Sequence, residues 1–380
     1  MKKTKILYVV STLKRCGPNN QLFNIINNLD KNRFSPHVLT ISNEESESFK
    51  ERFLAAGIQV SSLSSHRVLG LFTIRSRINK FISKISPDVI HTQGYRADRF
   101  IQAAKSNKEL NFKHLCTVRN IPQEDYVMTY GKLLGKVMFK RHIDSLMQVD
   151  KVVGVSEVVY SNLHSYCELK NTVCINNGVD IDLYQPALGI KEIQSLRYEL
   201  DLPQDKKVFI STGHLSLRKD PEFLIEGFID SKLSNSHLVL VGDGELKEFL
   251  AEKYKSFSCI KFVGRSNRIS DYLKASDYYV SCSKSEGLPN SVLEAMASGL
   301  PCVLSDIEPH TQIVSTSLKE VGCIYGLGSK TDFLKALKQT YETDKLELSK
   351  NARDLTLASF SAGYMSNKYQ DLYLKLLDIT

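Results

Sequence analysis

Short runs of β-branched and apolar residues alternate with amphipathic stretches along almost the whole chain. Residues 6–11 and 37–41 have the composition of buried strands, and residues 21–29 between them have the periodicity of a helix. This alternation predicts a parallel sheet that is covered by helices on both faces. It stops in the turn-rich segment at residues 176–189 and starts again at residue 208, so the chain predicts two sheets in succession.

Two α/β domains follow from this break and from the length of the chain. The 380 residues exceed what one ordinary hydrophobic core organises. We predict two Rossmann-like, doubly wound parallel-sheet domains at residues 1–182 and 183–360, followed by a helical segment at 361–380. Because ligands of such sheets bind at the carboxyl ends of the strands, the functional residues are expected in a cleft where those ends face each other.

Two carboxylates bracket a turn and the start of a predicted helix. The segment reads Glu286-Gly287-Leu288-Pro289-Asn290-Ser291-Val292-Leu293-Glu294. Pro289 suits a first helical position, because the N–H that it lacks would be unpaired there. The helix start favours a phosphate, and carboxylates accept hydrogen bonds from sugar hydroxyls. The pattern indicates a nucleotide-sugar site, and the alternative is an ordinary helix with a solvated Glu294.

A basic loop follows the first predicted strand of the second domain. It contains Gly213, His214, Arg218 and Lys219. Lys supplies a point charge and Arg a fork of N–H donors, so the loop predicts a clamp for a diphosphate. The alternative is a basic surface loop, but its expected place on the sheet edge of the Glu286 helix favours the clamp.

Glycine turns end other predicted strands. Gly242 and Gly244 follow one strand, and Arg265 follows the next. Gly244 would let a ribose approach the backbone, and Arg265 would lie along a base. In the first domain, Gly17 precedes a helix whose start suits an anion. The G-x-G-x-x-G fingerprint of dinucleotide sites is absent, and an ordinary strand–helix turn is the alternative.

Polar residues also end two predicted strands of the first domain. His91 belongs to one strand end, and Arg119 and Asn120 follow the next. We predict that these three residues face an acceptor, with residues 124–126 in an acceptor-binding loop. A strand-end histidine also occurs as a purely structural residue.

The positive charge is concentrated in the front half of a chain whose net charge is +8, which suggests an anionic partner. Residues 131–147 predict an amphipathic helix, interpreted as a core helix with a solvated basic face; the alternative is docking on anionic lipid.

The basic residues are dispersed and lack a nucleic-acid reader motif, so no nucleic acid is expected as a partner. No metal cluster spacing and no membrane-spanning run appear, and we predict a cytoplasmic chain or one peripheral at the inner face of the membrane.

Together these residues resemble the retaining glycosyltransferases of family four, which have the two-domain GT-B fold. The resemblance covers essentially the whole chain and is strongest at residues 205–305. By matching position, Glu294 would hold the ribose of the donor and Glu286 would lie near the donor sugar. Lys219 matches the lysine of the family's basic pair, whereas His214 stands at its arginine, so His214 or Arg218 would take that role.

Two other positions depart from the family pattern. Gly17 retains only one glycine of the usual Gly-Gly loop, and Arg119 stands where a histidine is frequent. The resemblance implies transfer of a sugar from a nucleotide diphosphate sugar, with UDP as the commonest nucleotide, to a lipid-linked or saccharide acceptor. It also implies that residues 361–380 cross back onto the first domain, and that no cofactor and no metal is required.

Two other functions fit the same features. A sugar-nucleotide epimerase or hydrolase would convert the donor alone, without an acceptor. A catalytically inactive sugar-nucleotide-binding subunit would fit the arginine at position 119. A sugar transfer that requires an acceptor would distinguish the glycosyltransferase from both of these alternatives.

Overall fold

The chain folds into two compact α/β units. The structure, a computed structural model, describes residues 3–44, 47–65 and 73–379. Unit 1 comprises Met1–Gly178 together with Ala362–Thr380, and unit 2 comprises Val179–Ser361. Each unit contains one sheet in which all paired strands are parallel.

Unit 1 has a seven-stranded sheet in the order β3-β2-β1-β4-β5-β6-β7. The strands are β1 (Thr4–Val10), β2 (Phe34–Thr40), β3 (Gln59–Ser62), β4 (Val89–Gln93), β5 (Lys113–Val118), β6 (Lys151–Gly154) and β7 (Thr172–Cys174). The helices are α1 (Gly17–Asn27), α2 (Lys50–Ala55), α3 (Ile74–Ile85), α4 (Tyr95–Ala104), α5 (Pro122–Tyr130), α6 (Lys132–Leu146) and α7 (Glu157–Ser161), which continues into a π-helical turn at Asn162–Tyr166.

Successive residues of β1 point to opposite faces of this sheet, and both faces are buried. Ile6 and Tyr8 pack in a core with α1, whereas Leu7 and Val9 pack in a second core with α3 and α4. This two-sided burial explains why the strand reads as a continuous apolar run.

The last helix of the chain, α16 (Ala362–Leu376), belongs to the core of unit 1. Its Tyr369 and Tyr373 lie in the same cluster as Tyr8, and the hydroxyls of Tyr8 and Tyr373 are 3.1 Å apart. Ser366 donates a hydrogen bond of 2.8 Å to the carbonyl of Ile25 in α1. The helix therefore completes one face of the first sheet.

Unit 2 has a six-stranded sheet in the order β10-β9-β8-β11-β12-β13. The strands are β8 (Lys207–Thr212), β9 (Ser236–Val241), β10 (Ile260–Gly264), β11 (Tyr278–Ser281), β12 (Cys302–Ser305) and β13 (Gly322–Tyr325). The helices are α8 (Ile190–Glu199), α9 (Pro221–Asp230), α10 (Lys247–Lys253), α11 (Ile269–Lys274), α12 (Asn290–Ala297), α13 (Glu308–Ser315), α14 (Lys330–Glu342) and α15 (Lys345–Ser359).

The structure corrects the prediction of a loop at residues 124–126, which lie inside α5. Pro122 stands in the first turn of that helix, where its missing N–H costs no hydrogen bond. α8, α13 and β13 are further elements that the residue pattern does not predict.

The interpretation of residues 131–147 as a core helix is wrong for the first half of α6. Leu133 is 87% exposed and Leu134 is 55% exposed, whereas Leu146 is buried. Gly135 packs against the backbone of Tyr126, and an added Cβ would stand 2.5 Å from its carbonyl oxygen. The apolar start of α6 is thus exposed in unit 1, while Gly135 of the same helix packs on α5.

Candidate functional site

The strand ends of unit 2 carry the residues that the sequence predicts for the donor. β10, β9, β8 and β11 are parallel neighbours, so their carboxyl ends lie on one edge of the sheet. Gly213 follows β8, Gly242 follows β9 and Arg265 follows β10, while β11 leads through residues 282–289 into α12. The edge therefore collects the basic loop, the glycine turns and the start of α12.

Glu286 binds both cations of the basic loop. Its Oε1 lies 2.7 Å from Lys219 Nζ, and its Oε2 accepts a hydrogen bond of 2.6 Å from Arg218 Nη1. An added Cβ on Gly213 would make only an ordinary contact of 3.4 Å with Lys219 Cε, so the φ of +136°, and not a lack of space, favours glycine there. The structure thus brings Lys219, Arg218 and Glu286 into one cluster.

The charge of Glu286 is stabilised strongly by these neighbours. Its side chain is only 9% exposed, and burial alone would raise the pKa of the carboxyl group. The attraction of Lys219 and then Arg218 outweighs burial and lowers the pKa of Glu286 to about 2. Glu286 is therefore a carboxylate at every physiological pH.

A network of buried side chains is connected to Glu286 through hydrogen bonds. Ser283 donates a hydrogen bond of 3.0 Å to Glu286 Oε1, and the hydroxyls of Ser283 and Ser281 are 3.1 Å apart. His310 Nδ1 lies 2.9 Å from the carbonyl of Ser305, and burial lowers the pKa of His310 to about 4. The histidine is therefore neutral and fixed in orientation next to this network.

Glu294 lies in the second turn of α12 and differs in charge state from Glu286. Burial raises the pKa of Glu294 to about 7, against the opposing effects of a hydrogen bond from Tyr184 and of the charge on Lys219. One motif thus supplies one permanent carboxylate and one group that titrates near neutrality.

The turn before α12 is well ordered by packing. Leu288 is buried, and Pro289 stands at the N-cap with φ −75° rather than at the predicted first helical position. The N–H of Val292 closes the first turn on the carbonyl of Pro289 at 3.1 Å. Asn290 and Ser291 therefore form the positive end of the helix, beside the Glu286 cluster.

Gly242 and Gly244 permit contacts between two loops of unit 2. A Cβ on Gly242 would stand 1.7 Å from the carbonyl oxygen of Gly213, and one on Gly244 would stand 2.4 Å from that of Leu215. From the sequence, Gly244 is interpreted as making room for a ribose. The structure shows another reason for glycine there, which is that one strand-end loop packs on the next.

Three other predicted donor residues have surroundings of their own. His214 is exposed, and its Nε2 lies 2.9 Å from Glu245 Oε2. Arg265 follows β10 at the surface. Gly17 begins α1 and belongs to unit 1.

His91 is a core residue, which corrects its prediction as an acceptor contact. Its side chain is fully buried in β4, with Nδ1 2.7 Å from the hydroxyl of Tyr373 and Nε2 2.7 Å from that of Thr117. The ring also stacks on Tyr369. Both ring nitrogens are occupied, so His91 joins the sheet to α16 instead of facing a ligand.

Arg119 and Asn120 line a cavity of about 260 Å³ in unit 1. Arg119 donates to Gln93 Oε1 from Nε and Nη2, at 3.2 and 2.9 Å, and to Asn177 Oδ1 at 2.9 Å. Asn120 donates to Asp125 Oδ1 at 3.0 Å. The structure places these two predicted acceptor-side residues at the carboxyl end of β5, as the strand pattern indicates.

Several supporting residues escaped the sequence analysis. Ser283, Tyr184 and His310 contact or support the two glutamates, but nothing in the local sequence marks them. Gln93 is different, because the strand pattern already places it at the end of β4, where it lines the cavity.

Comparison with known proteins agrees with this arrangement. The family model for glycosyl transferases group 1 matches residues 192–355, and the model for glycosyltransferase family 4 matches residues 16–183. The chain belongs to the family-four glycosyltransferases. The two matches fall on unit 2 and on unit 1, respectively.

Two bacterial relatives show how far the sequence similarity extends. One is an Escherichia coli UDP-Gal:alpha-D-GlcNAc-diphosphoundecaprenol alpha-1,3-galactosyltransferase, which is 32% identical over 60% of this chain and 58% of its own length. The other is the Escherichia coli O-antigen biosynthesis glycosyltransferase WclY, which is 22% identical over 98% of both chains. This glycosyltransferase is therefore similar to its relatives in both units.

Solved structures confirm the GT-B fold of this glycosyltransferase. The Anabaena protein Alr3699/HepE, crystallised with UDP and glucose, matches with a TM-score of 0.82 and 16% identity over 97% of this chain and 99% of its own. At this level of identity the match concerns the fold alone.

Proposed function

We propose that this glycosyltransferase moves a sugar, with its anomeric configuration retained, from a UDP-sugar to a lipid-linked or saccharide acceptor in surface polysaccharide synthesis. The observation that carries the proposal is the cluster of Lys219 and Arg218 on Glu286 at the start of α12. The UDP-sugar and lipid-diphosphate substrates in the name of the galactosyltransferase relative support the choice of substrates.

The chemistry needs positive charge more than it needs a nucleophile from the protein. The bond between the sugar C1 and the β-phosphate oxygen breaks, and the acceptor oxygen bonds to C1 on the same face. The acceptor proton passes to the departing phosphate oxygen. Lys219, Arg218 and the start of α12 would stabilise the negative charge that develops on the diphosphate, which is the largest contribution in catalysis of this type.

An assay with and without acceptor tests this proposal. The protein is incubated with a panel of UDP-sugars, alone and with a bacterial lipid extract, and sugar consumption and product configuration are followed by NMR. Transfer that requires the extract and retains configuration is expected. Consumption without extract would instead identify an epimerase or hydrolase, and no consumption under either condition would identify a binding subunit.

We also propose that the start of α6 docks on an anionic membrane surface. Exposed apolar side chains project from the α5–α6 hairpin beside exposed lysines: Met128, Tyr130, Leu133, Leu134, Val137, Lys132, Lys136 and Lys140. Apolar groups flanked by basic groups suit the boundary between acyl chains and anionic headgroups. Among the described residues, no helix is long and apolar enough to cross a membrane.

Liposome flotation tests the docking proposal. We expect the protein to float with anionic vesicles more than with neutral ones, and the double variant Leu133→Gln/Leu134→Gln to lose this binding. Leu188→Gln is the control, because Leu188 is a leucine of unit 2 that is more exposed than either Leu133 or Leu134. Equal binding of the double variant and the parent would contradict the proposal.

A further inference from the structure

The cavity of unit 1 contains a cation that has no carboxylate partner. Arg119 donates three hydrogen bonds, all to the side-chain amide oxygens of Gln93 and Asn177. Within residues 3–44, 47–65 and 73–379, no carboxylate lies at ion-pair distance from it, and two of its five N–H groups lack a partner. Burial lowers the pKa of Arg119, so its charge is incompletely solvated. Such a cation gains stability from an anionic ligand.

Gln93 supplies a second unpaired donor in the same cavity. The residue is only 8% exposed and lines the cavity. Its Oε1 is occupied by Arg119, while its buried Nε2 has no hydrogen-bond partner in the described part of the chain. A buried amide N–H left unpaired is costly, so this group favours a ligand with an acceptor oxygen.

The start of α1 contributes positive potential to the same place. Pro18 and Asn19 line the cavity, and the first turn of this 11-residue helix contains no acidic residue. Cys16, at the N-cap, is close enough to affect the pKa of Arg119. The start of α1, the guanidinium of Arg119 and the amide of Gln93 therefore all contribute to the lining of one cavity.

Two carboxylates, of Asp98 and Asp125, also line this cavity. Asp125 accepts a hydrogen bond from Asn120, and Asp98 accepts one of 2.8 Å from His142 Nε2. Both carboxylates line the cavity, so they repel an anion there and favour hydroxyl groups. A lining of mixed charge suits a ligand that carries both an anionic group and hydroxyl groups.

We propose that the cavity of unit 1 binds the acceptor as a glycosyl phosphate, with the phosphate on Arg119 and Gln93 and the sugar hydroxyls toward Asn120 and Asp125. This inference rests on the proposed transferase function and narrows its acceptor to a sugar that carries a phosphate. The arginine in place of the family's frequent histidine is then a specificity determinant and not a sign of inactivity.

Binding without donor tests this inference separately from transfer. The full chain is titrated with N-acetyl-α-D-glucosamine 1-phosphate and with the methyl α-glycoside of the same sugar, followed by NMR. We expect the sugar phosphate to bind at least tenfold more tightly. Equal binding of the two ligands, or tighter binding of glucuronate than of the sugar phosphate, would overturn the assignment, whereas phosphate-selective binding without any transfer would refute only the transferase.

Two variants and a control locate the phosphate. Arg119→Gln removes the charge, and Gln93→Glu keeps the shape while giving Arg119 an internal carboxylate, so the second variant is expected to fold even if the first does not. Both should reduce the preference for the phosphate at least tenfold. Arg75→Gln removes an exposed charge on α3 and should change nothing. If Gln93→Glu weakens the binding of UDP as much as the binding of the sugar phosphate, the site holds the donor and the inference is wrong.

Discussion

The ammonium group of Lys219 lies 2.7 Å from Glu286 Oε1, so the lysine assigned to the diphosphate is already held by a carboxylate. Arg218 is held by the other oxygen of the same group. A diphosphate must therefore compete with Glu286 for both cations or share them with it. In return, the cations are fixed in place before the donor arrives, which reduces the reorganisation needed during the reaction.

Removing the ammonium group should slow sugar transfer. Lys219→Ala is expected to lower kcat about 10²-fold or more, because one preorganised charge on the leaving diphosphate is lost. Lys253→Ala is the matched control, since Lys253 pairs with Glu222 and Glu226 at the surface of the same unit. Near-normal turnover of the Lys219 variant, with the control also normal, would refute the assignment.

Neutralising Glu286 should separate binding from turnover. Glu286→Gln keeps the shape of the side chain but frees Lys219 and Arg218 from the competing charge. We expect UDP to bind several-fold more tightly, while transfer falls at least tenfold because the cations lose their fixed positions. Calorimetry with UDP and a transfer assay measure the two effects, and Glu226→Gln is the surface control. Weaker UDP binding would contradict the competition between carboxylate and diphosphate.

The sequence predicts which strands and helices the functional loops connect, but it does not predict which side chains pair with each other. Periodicity locates β8 and α12, and glycine marks the turns between them, because both depend on local backbone preferences. The pairing of Glu286 with Lys219 joins residues 67 positions apart and depends on how two loops pack. His91 illustrates the same limit, since its burial results from α16, which lies at the other end of the chain.

The pH dependence of donor binding should follow Glu294. Burial raises the pKa of Glu294 to about 7, and only the carboxylate accepts two hydrogen bonds from a ribose. UDP-sugar affinity is therefore expected to increase as the pH rises from 6 to 8, with proton release on binding near pH 6.5. Calorimetry in two buffers of different ionisation enthalpy counts that proton. A pH-independent affinity would contradict the assignment.

The free energy of unfolding should depend on the protonation of Glu294 in the opposite direction to donor affinity: it should fall as the pH rises. Because the pKa of Glu294 is raised in the folded state, this state binds the proton more tightly, and Glu294 lowers the free energy of unfolding as the pH rises from about 4.5 to about 7. Glu294→Gln carries no charge, so it should be more stable than the parent at pH 8 and similar at pH 4.5, with donor affinity reduced at pH 8. Urea unfolding at the two pH values measures the difference, and an equal difference at both would contradict this origin.

The contact between Gly242 and Gly213 should make the donor-side loops intolerant of a single methyl group. Gly242→Ala adds a Cβ at 1.7 Å from a carbonyl oxygen, at φ +154°, so two loops must separate. Gly328→Ala is the matched control in unit 2, because Gly328 has φ +76° but nothing within 4 Å. In the control, the free energy of unfolding should fall by only about 1–2 kcal/mol, which is the cost of the left-handed conformation. Gly242→Ala should lose about 1–3 kcal/mol more through overpacking, together with UDP binding. Equal loss of unfolding free energy in the two variants, measured in urea, would show that the loops move apart without cost.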